Sequence, residues 1–384
     1  MMPETPYAAD DLSAAIRAAL AKVIDPELRR PITELGMVKS IEVGPDGDVH
    51  IEVYLTIAGC PMKTEISERV TKAVADVPGT GAVNVSLDVM TDEQRTQLRK
   101  QLRGDAREPV IPFAQPGSLT RVYAVASGKG GVGKSTVTVN VAAAMAARGM
   151  SVGVLDADIY GHSIPRMMGT TDRPTQVESM ILPPIAHEVK VVSIAQFTQG
   201  NIPVVWRGPM LHRALQQFLA DVHWGDLDVL LLDLPPGTGD IAISVAQLIP
   251  SAEILVVTTP QLAAAEVAER AGSIALQTRQ RIVGVVENMS WLVLPDGSKL
   301  EVFGEGGGQQ VAKRLSRAVG ADVPLLGQIP LDPALVAAGD AGVPMVLRAP
   351  DSAVGKELLS LADGLSSRRR GLAGMPLGLD PTRR

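Results

Sequence analysis

Val122-Tyr123-Ala124-Val125-Ala126-Ser127-Gly128-Lys129-Gly130-Gly131-Val132-Gly133-Lys134-Ser135-Thr136 decides how this chain of 384 residues is read. A short apolar run stops at Ala126, and from Val137 to Arg148 the letters take helical periodicity. Between them, Gly128 to Ser135 fits G-x-x-x-x-G-K-[ST] in the strand–loop–helix context that pattern requires. Glycines let the backbone curl with its N–H groups turned inward, and the helix start adds partial positive charge. Gly128, Lys129, Gly130, Gly131, Val132, Gly133, Lys134, Ser135 and Thr136 are therefore the candidate phosphate cradle. In such a loop Lys134 reaches the β- and γ-phosphates of a nucleotide, and the Ser135 hydroxyl holds Mg²⁺.

Working outward, the second half of the chain alternates strands with helices. Candidate strands are 122–126, 152–155, 189–194, 229–232, 253–258 and 281–287. Most are continuous apolar runs, the mark of strands covered on both faces, and the pattern predicts a doubly wound, mostly parallel α/β sheet. Ligands in such sheets sit at the carboxyl ends of the strands. Two acidic loops stand there: Asp156-Ala157-Asp158-Ile159-Tyr160-Gly161, and Asp233-Leu234-Pro235-Pro236-Gly237-Thr238-Gly239-Asp240. Asp233, behind Val229-Leu230-Leu231-Leu232, takes the metal-binding acid position, with Asp156 supporting the Mg²⁺ shell. Asp158 is the candidate for orienting the attacking water, and the Gly237 N–H for approaching the γ-phosphate. Gly306-Gly307-Gly308 reads as a phosphate-like nest or as a turn.

The first hundred residues have a different texture. A helix from Asp11, alternating strands at 41–43 and 49–57, a helix over 62–76 and a strand at 83–89 make a small α+β unit. The prolines and glycines of 104–119 read as a linker. The domain expectation is 7–103 small α+β domain, 104–119 linker, 120–366 ATPase domain and 367–384 disordered tail.

The form GKGGVGKST at 128–136 resembles the deviant P-loop ATPases, and with DADIYG, DLPPGTGD, ENMS (287–290) and FGEGGG (303–308) it resembles the Mrp-type (ApbC-like) iron–sulfur cluster carriers. The N-terminal letters Val23-Ile24-Asp25-Pro26-Glu27, Leu35-Gly36-Met37-Val38 and Gly59-Cys60-Pro61 resemble the SufT-like domain that bacterial members carry in front of the ATPase. The resemblance implies a dimer that hydrolyses ATP slowly and passes Fe–S clusters to apoproteins. It implies Lys129 as a lysine supplied in trans across a homodimer, Asn288 on the adenine ring, and Pro324 to Pro330 as a second base-side loop. In most members a C-x-x-C lies between the segments matching 287–290 and 303–308, but here 291–302 holds no cysteine. Cys60 is the sole cysteine, so a dimer offers two thiolates where a [4Fe–4S] cluster takes four. Cys60, at the start of a helix, is the candidate Fe–S ligand; a buried packing cysteine is the other reading.

Composition narrows the rest. A net charge of −6 argues against a general nucleic-acid binder. No apolar run nears the ~20 residues of a membrane span, and the acidic start has no signal-peptide core, so the expected location is cytoplasmic. His162, His212 and His223 lack metal-ligand spacing. An alternative is an ATP-dependent dimer switch that localises cargo on membrane or nucleoid, as partition ATPases do. Its anchor would be Val354, Leu358, Leu361 and Leu365, at helical spacing before Arg368-Arg369-Arg370; a closing helix packed on the sheet accounts for the same stripe. A metabolic kinase would need an acceptor constellation, and the sequence shows none.

Overall fold

The computed structural model describes residues 9–56, 62–103, 110–158, 161, 163–170, 172–177, 180–197, 208–237, 240–261, 273 and 275–367. Cys60, His162 and, of the tail 367–384 expected to be disordered, residues 368–384 lie outside them. The chain divides into two compact units, Met1–Glu108 with Pro174–Pro183, and Pro109–Arg173 with Pro184–Arg384.

The first unit begins with helix α1 (Ala9–Leu20), followed by strands β1 (Val38–Val43) and β2 (Val49–Leu55), helix α2 (Lys63–Ala75), strand β3 (Val83–Val89) and helix α3 (Asp92–Arg103). β2 is central, antiparallel to β1 and parallel to β3. A parallel neighbour needs a crossover, which α2 supplies. Alternation along β2 buries Val49, Ile51, Val53 and Leu55 and turns His50, Glu52 and Tyr54 outward. Ile66, Val70 and Val74, four residues apart on α2, close over that face.

This core is not built from the N-terminal hundred residues alone. Strands β6 (Thr175–Val177) and β7 (Met180–Leu182), which come much later in the chain, pair as an antiparallel hairpin. Val177, Met180 and Leu182 are fully buried in the same cluster as Ile16, Leu20 and Ile51. The sequence expectation placed 174–183 in the ATPase domain; these residues pack with the small unit instead.

The second unit comprises β4 (Arg121–Ala126), α4 (Lys134–Ala147), β5 (Val152–Asp156), α5 (Ile164–Met167), β8 (Ile185–Ala186), β9 (Val189–Ser193), α6 (Gly208–Asp221), β10 (Val229–Asp233), α7 (Asp240–Leu248), β11 (Glu253–Thr258), β12 (Ile282–Val293), β13 (Lys299–Leu300), α8 (Gly307–Val319), β14 (Leu325–Leu331), α9 (Pro333–Asp340), α10 (Met345–Arg348) and α11 (Ala353–Ser366). Its sheet runs β13-β12-β11-β4-β10-β5-β9-β8, with β14 also on β12. The pairs from β9 to β12 and the β12–β14 pair are parallel; β8 and β13 join antiparallel at the edges.

Both faces are covered. Leu255 and Val257 of β11 enter a core shared with α4 and α11, while Ile254 and Val256 enter another shared with α8. α4 is buried on every side from Val137 to Ala146, a stretch whose letters are apolar all round but for Thr138 and Asn140. Val354, Leu358, Leu361 and Leu365 of α11 are buried in the same core. The apolar stripe offered as a membrane anchor is therefore spent inside the unit. Arg121 and Tyr123 hydrogen-bond the Leu365 carbonyl at 2.9 and 3.0 Å, fixing the end of that helix.

Three further expectations are corrected. The stretch read as linker contains a 3₁₀ turn, Pro112–Ala114, whose Phe113 is buried edge-on against Trp224 with ring centroids 6.3 Å apart. Pro324 to Pro330, expected as a loop, falls from Leu325 onward in strand β14, drawn into the sheet by parallel pairing with β12. Gly306-Gly307-Gly308 is a helix start, with Gly306 left-handed at φ 74° ahead of α8.

Candidate functional site

The chain leaves β4 and enters α4 through the glycine-rich loop. Gly131 and Gly133 have φ of 78° and 79°, which side-chain-bearing residues rarely adopt. At Gly133 space is excluded as well, since a Cβ would stand 2.2 Å from Asn288 Nδ2. Lys134 and Ser135 open α4, so their backbone N–H groups fall among those a helix leaves without internal partners.

β10 pairs with both β4 and β5: its last residue, Asp233, stands opposite Asp156, the last of β5, and opposite Val125, the last but one of β4. Two carboxylates thus close adjacent parallel strands beneath the loop. Asp233 is fully buried, and three side chains converge on it. Lys134 Nζ lies 2.8 Å from Oδ1, Ser135 Oγ donates to Oδ2 at 2.6 Å, and Thr138 Oγ1 donates to Oδ1 at 2.9 Å. Lys134 is 6% exposed; the ion pair is its one anchor among the described residues, set at an angle that makes no hydrogen bond. A buried ammonium with donors to spare suits an incoming polyanion.

Asp156 accepts from the Asp158 and Ile164 N–H groups at 3.1 and 3.4 Å, and from Ser193 Oγ at 3.2 Å. Burial, and then the neighbouring Asp233 charge, push its carboxyl up to about 7. Asp158 is buried in the turn that follows, its Oδ1 taking the Gly161 N–H at 3.0 Å. Asp233 thus meets the loop's Lys134 and Ser135 directly, Asp156 stands beside it on the next strand, and Asp158 is tied by its N–H to Asp156. Hard oxygen donors, the Ser135 hydroxyl and the Asp233 carboxylate, sit in contact there, a donor set that fits Mg²⁺.

Asn288, on β12, reaches across to the loop and donates from Nδ2 to the Val132 carbonyl at 2.9 Å. Its Oδ1 is buried without a partner among the described residues. Beside it opens a cleft of about 300 Å³ lined by Gly133, Asn288, Met289, Arg166, Leu335 and Asp340. A cleft of that size next to a phosphate cradle, with Asn288 in its lining, fits a nucleobase.

Two of the candidate groups have partners within the chain. Lys129 Nζ donates to the side-chain oxygen of Gln261 in its own chain. The Gly237 N–H is engaged by the Ser127 carbonyl at 2.8 Å, so that donor ties the second acidic loop to the start of the glycine-rich loop. Sequence reasoning also missed residues. Thr138 and Ser193 carry no motif, and the signal for each exists only across the sheet. Glu287 is buried, with Oε2 accepting the Gly308 N–H at 2.6 Å and Oε1 accepting from Gln328 at 2.8 Å. The Gly308 N–H at that helix start is thus already taken by the protein's own Glu287. A Cβ at Gly307 would meet the Pro260 carbonyl oxygen at 2.4 Å, which accounts for a glycine there. Among the described residues no group of three or more His, Cys, Asp or Glu is placed to hold a metal ion, and no helix is long and apolar enough to cross a membrane.

With this geometry in place, the comparisons with known proteins are direct. The family model described as NUBPL iron-transfer P-loop NTPase matches residues 118–366, and that described as iron–sulfur cluster assembly protein matches residues 13–87. A Mycobacterium tuberculosis protein named iron–sulfur cluster carrier protein is 87% identical over 374 residues, which is 97% of this chain and 98% of its own length. A Synechocystis protein of the same name is 38% identical over 361 residues, covering 92% and 97%. Among solved structures, the nucleotide-binding protein from Archaeoglobus fulgidus in complex with ADP is 33% identical with a TM-score of 0.50, covering 66% of this chain and 91% of that one. The chain belongs to the iron-transfer P-loop NTPase family, in the form that carries an N-terminal iron–sulfur cluster assembly domain.

Proposed function

We propose that this protein is an ATP-hydrolysing carrier that passes iron–sulfur clusters to apoproteins in the cytoplasm. The observation that carries the nucleotide half is the buried Lys134 ammonium, paired with Asp233 but short of hydrogen-bond acceptors, at the head of a helix entered through left-handed glycines. Phosphate oxygens entering the loop compete with Asp233 for Lys134, and the β- and γ-phosphates take it. Ser135 and Asp233 would hold Mg²⁺, with Asp156 supporting their arrangement from the neighbouring strand. Mg²⁺ there supplies charge neutralisation on the leaving phosphate oxygens. Asp158, on the loop after β5, orients water for attack. The free Asn288 Oδ1 accepts the exocyclic amino hydrogen of adenine, which selects ATP over GTP.

Lys129 acts in a homodimer. Its hydrogen bond to Gln261 is between partly exposed groups of one chain, a contact of low cost to exchange for a partner's nucleotide. The names of the relatives support the cargo assignment, and the N-terminal assembly domain supports it independently. One cysteine per chain means that two copies contribute two thiolates, so the travelling cluster completes its coordination with ligands from outside the chain.

Anaerobic reconstitution with iron and sulfide, reading iron per protein and visible absorbance, tests the cargo. Wild type is expected to hold cluster and Cys60→Ala to lose it; equal loading of both overturns Cys60 as the ligand. Nucleotide is tested separately by calorimetry. Lys134→Ala is expected to abolish ATP binding, and retained affinity in that variant would remove the basis of the site.

A further inference from the structure

We propose that Thr138 is the positioning residue that keeps the Asp233 carboxylate aimed when nucleotide and metal draw its other two partners away. The inference rests on the site reading above, in which Lys134 turns to phosphate and Ser135 to Mg²⁺. Asp233 has no exposed surface, and among the described residues its side-chain partners are three groups on α4: the Lys134 ammonium by charge, and the Ser135 and Thr138 hydroxyls by hydrogen bond. Two of these are the residues that nucleotide and metal engage. The third stands one helical turn beyond Lys134, and its side chain is 0% exposed between α4 and the sheet. No phosphate can reach it there.

Consider the carboxylate once Lys134 and Ser135 have turned. A buried carboxylate without donors is costly, and it relaxes by rotating toward other partners. Thr138 opposes that rotation. It holds Oδ1 at 2.9 Å, which leaves Oδ2, the oxygen that Ser135 touches at 2.6 Å, facing the metal position. The hydroxyl does not wander, because threonine is stiff at χ1 and Oγ1 also lies 3.0 Å from the Lys134 carbonyl. That second contact is the competing account: a helical threonine bonding back to the preceding turn, indifferent to Asp233. The two accounts differ in what they predict for metal.

The test is calorimetric titration of the full chain with ADP, with and without Mg²⁺, for wild type, Thr138→Val, Thr138→Ala and Thr138→Ser. In wild type Mg²⁺ tightens ADP binding. Both hydroxyl-free variants are expected to bind metal-free ADP like wild type yet lose about ten- to a hundred-fold of the Mg²⁺-dependent gain, the worth of a hydrogen bond to a charged group. Thr138→Ser is expected to restore most of that gain. An undiminished Mg²⁺ gain in Thr138→Val and Thr138→Ala, with only a lower melting temperature, overturns the proposal in favour of the back-bonded helix. Failure of both to fold while Thr138→Ser folds overturns it too, because the hydroxyl then serves the fold. Wild type that gains nothing from Mg²⁺ refutes the site reading itself, a different result from a gain that wild type and variants share.

Discussion

Replacing Met180 by alanine probes the least expected contact in the molecule, the insertion of the β6–β7 hairpin into the small unit. Met180 has no exposed surface, and its neighbours in the cluster include Val177, Ile16, Leu20 and Ile51. Truncating a fully buried methionine to alanine costs about 2–5 kcal/mol, the lost transfer energy plus the cavity left behind. Because the hairpin belongs to the small unit, that loss falls on the opening of the small unit and not on the large sheet. At about 1.4 kcal/mol per factor of ten, amides protected by that opening exchange about 30-fold to several thousand-fold faster. Hydrogen exchange read by mass spectrometry on the full chain resolves the two units by peptide. Peptides over Val49–Leu55 are expected to lose protection, and peptides over Val229–Asp233 to keep theirs. Unchanged exchange at Val49–Leu55 would refute the reasoning, since the hairpin would then contribute nothing to that core. Faster exchange confined to Val152–Asp156 and Val189–Ser193 would place it energetically with the other unit.

Glu27 supplies a pH test within the same unit. Burial, and then the charge of Asp25, raise its carboxyl from 4.5 to about 7, against a lowering by the Thr175 hydroxyl, which donates to it at 3.4 Å. The folded form therefore binds the proton more tightly than the unfolded chain, so this group's contribution weakens stability as pH rises from about 4.5 to 7. Glu27→Gln is expected to flatten that slope and to be the more stable form at pH 8, by about 3 kcal/mol at most; a urea midpoint falling with pH as steeply as in wild type would contradict it. Lys129→Ala is expected to keep ATP affinity and lose hydrolysis by about 10³-fold or more, the scale of a charge supplied in trans. Unchanged turnover in that variant would end the in-trans role.

Much of the ATPase unit was legible from letters alone because its signals are local. A strand covered on both faces is a continuous apolar run, and a phosphate cradle needs its glycines, lysine and hydroxyl within nine consecutive positions, 128–136. Strand ends are visible where apolar runs stop, so Asp233 and Asp156 could be named, and parallel pairing then set them side by side. Legibility fails where one pattern serves two surroundings. The stripe Val354, Leu358, Leu361 and Leu365 is the same whether it meets lipid or a core, and only packing against α4 and β14 decides for the core. Residues 325–331 read as a loop because their strand character comes from a partner about forty residues upstream. The GKGG lysine likewise shows its spacing in sequence and its present partner, Gln261, only in space.

The amino-acid sequence thus settles the chemistry available to this protein: a phosphate-binding loop, two acids at strand ends, one cysteine, and an alternation that winds a parallel sheet. Backbone propensity and hydrophobic period act over a few residues, and a reader of the chain sees them directly. Tertiary structure alone decided which groups meet. It set three side chains of α4 on an acid nearly a hundred residues away, turned a glycine run onto Glu287, and lent a hairpin from one sequence domain to the core of the other. Those choices follow from burial: each polar group taken from water must find a partner, and each apolar face a cover, wherever in the chain it lies.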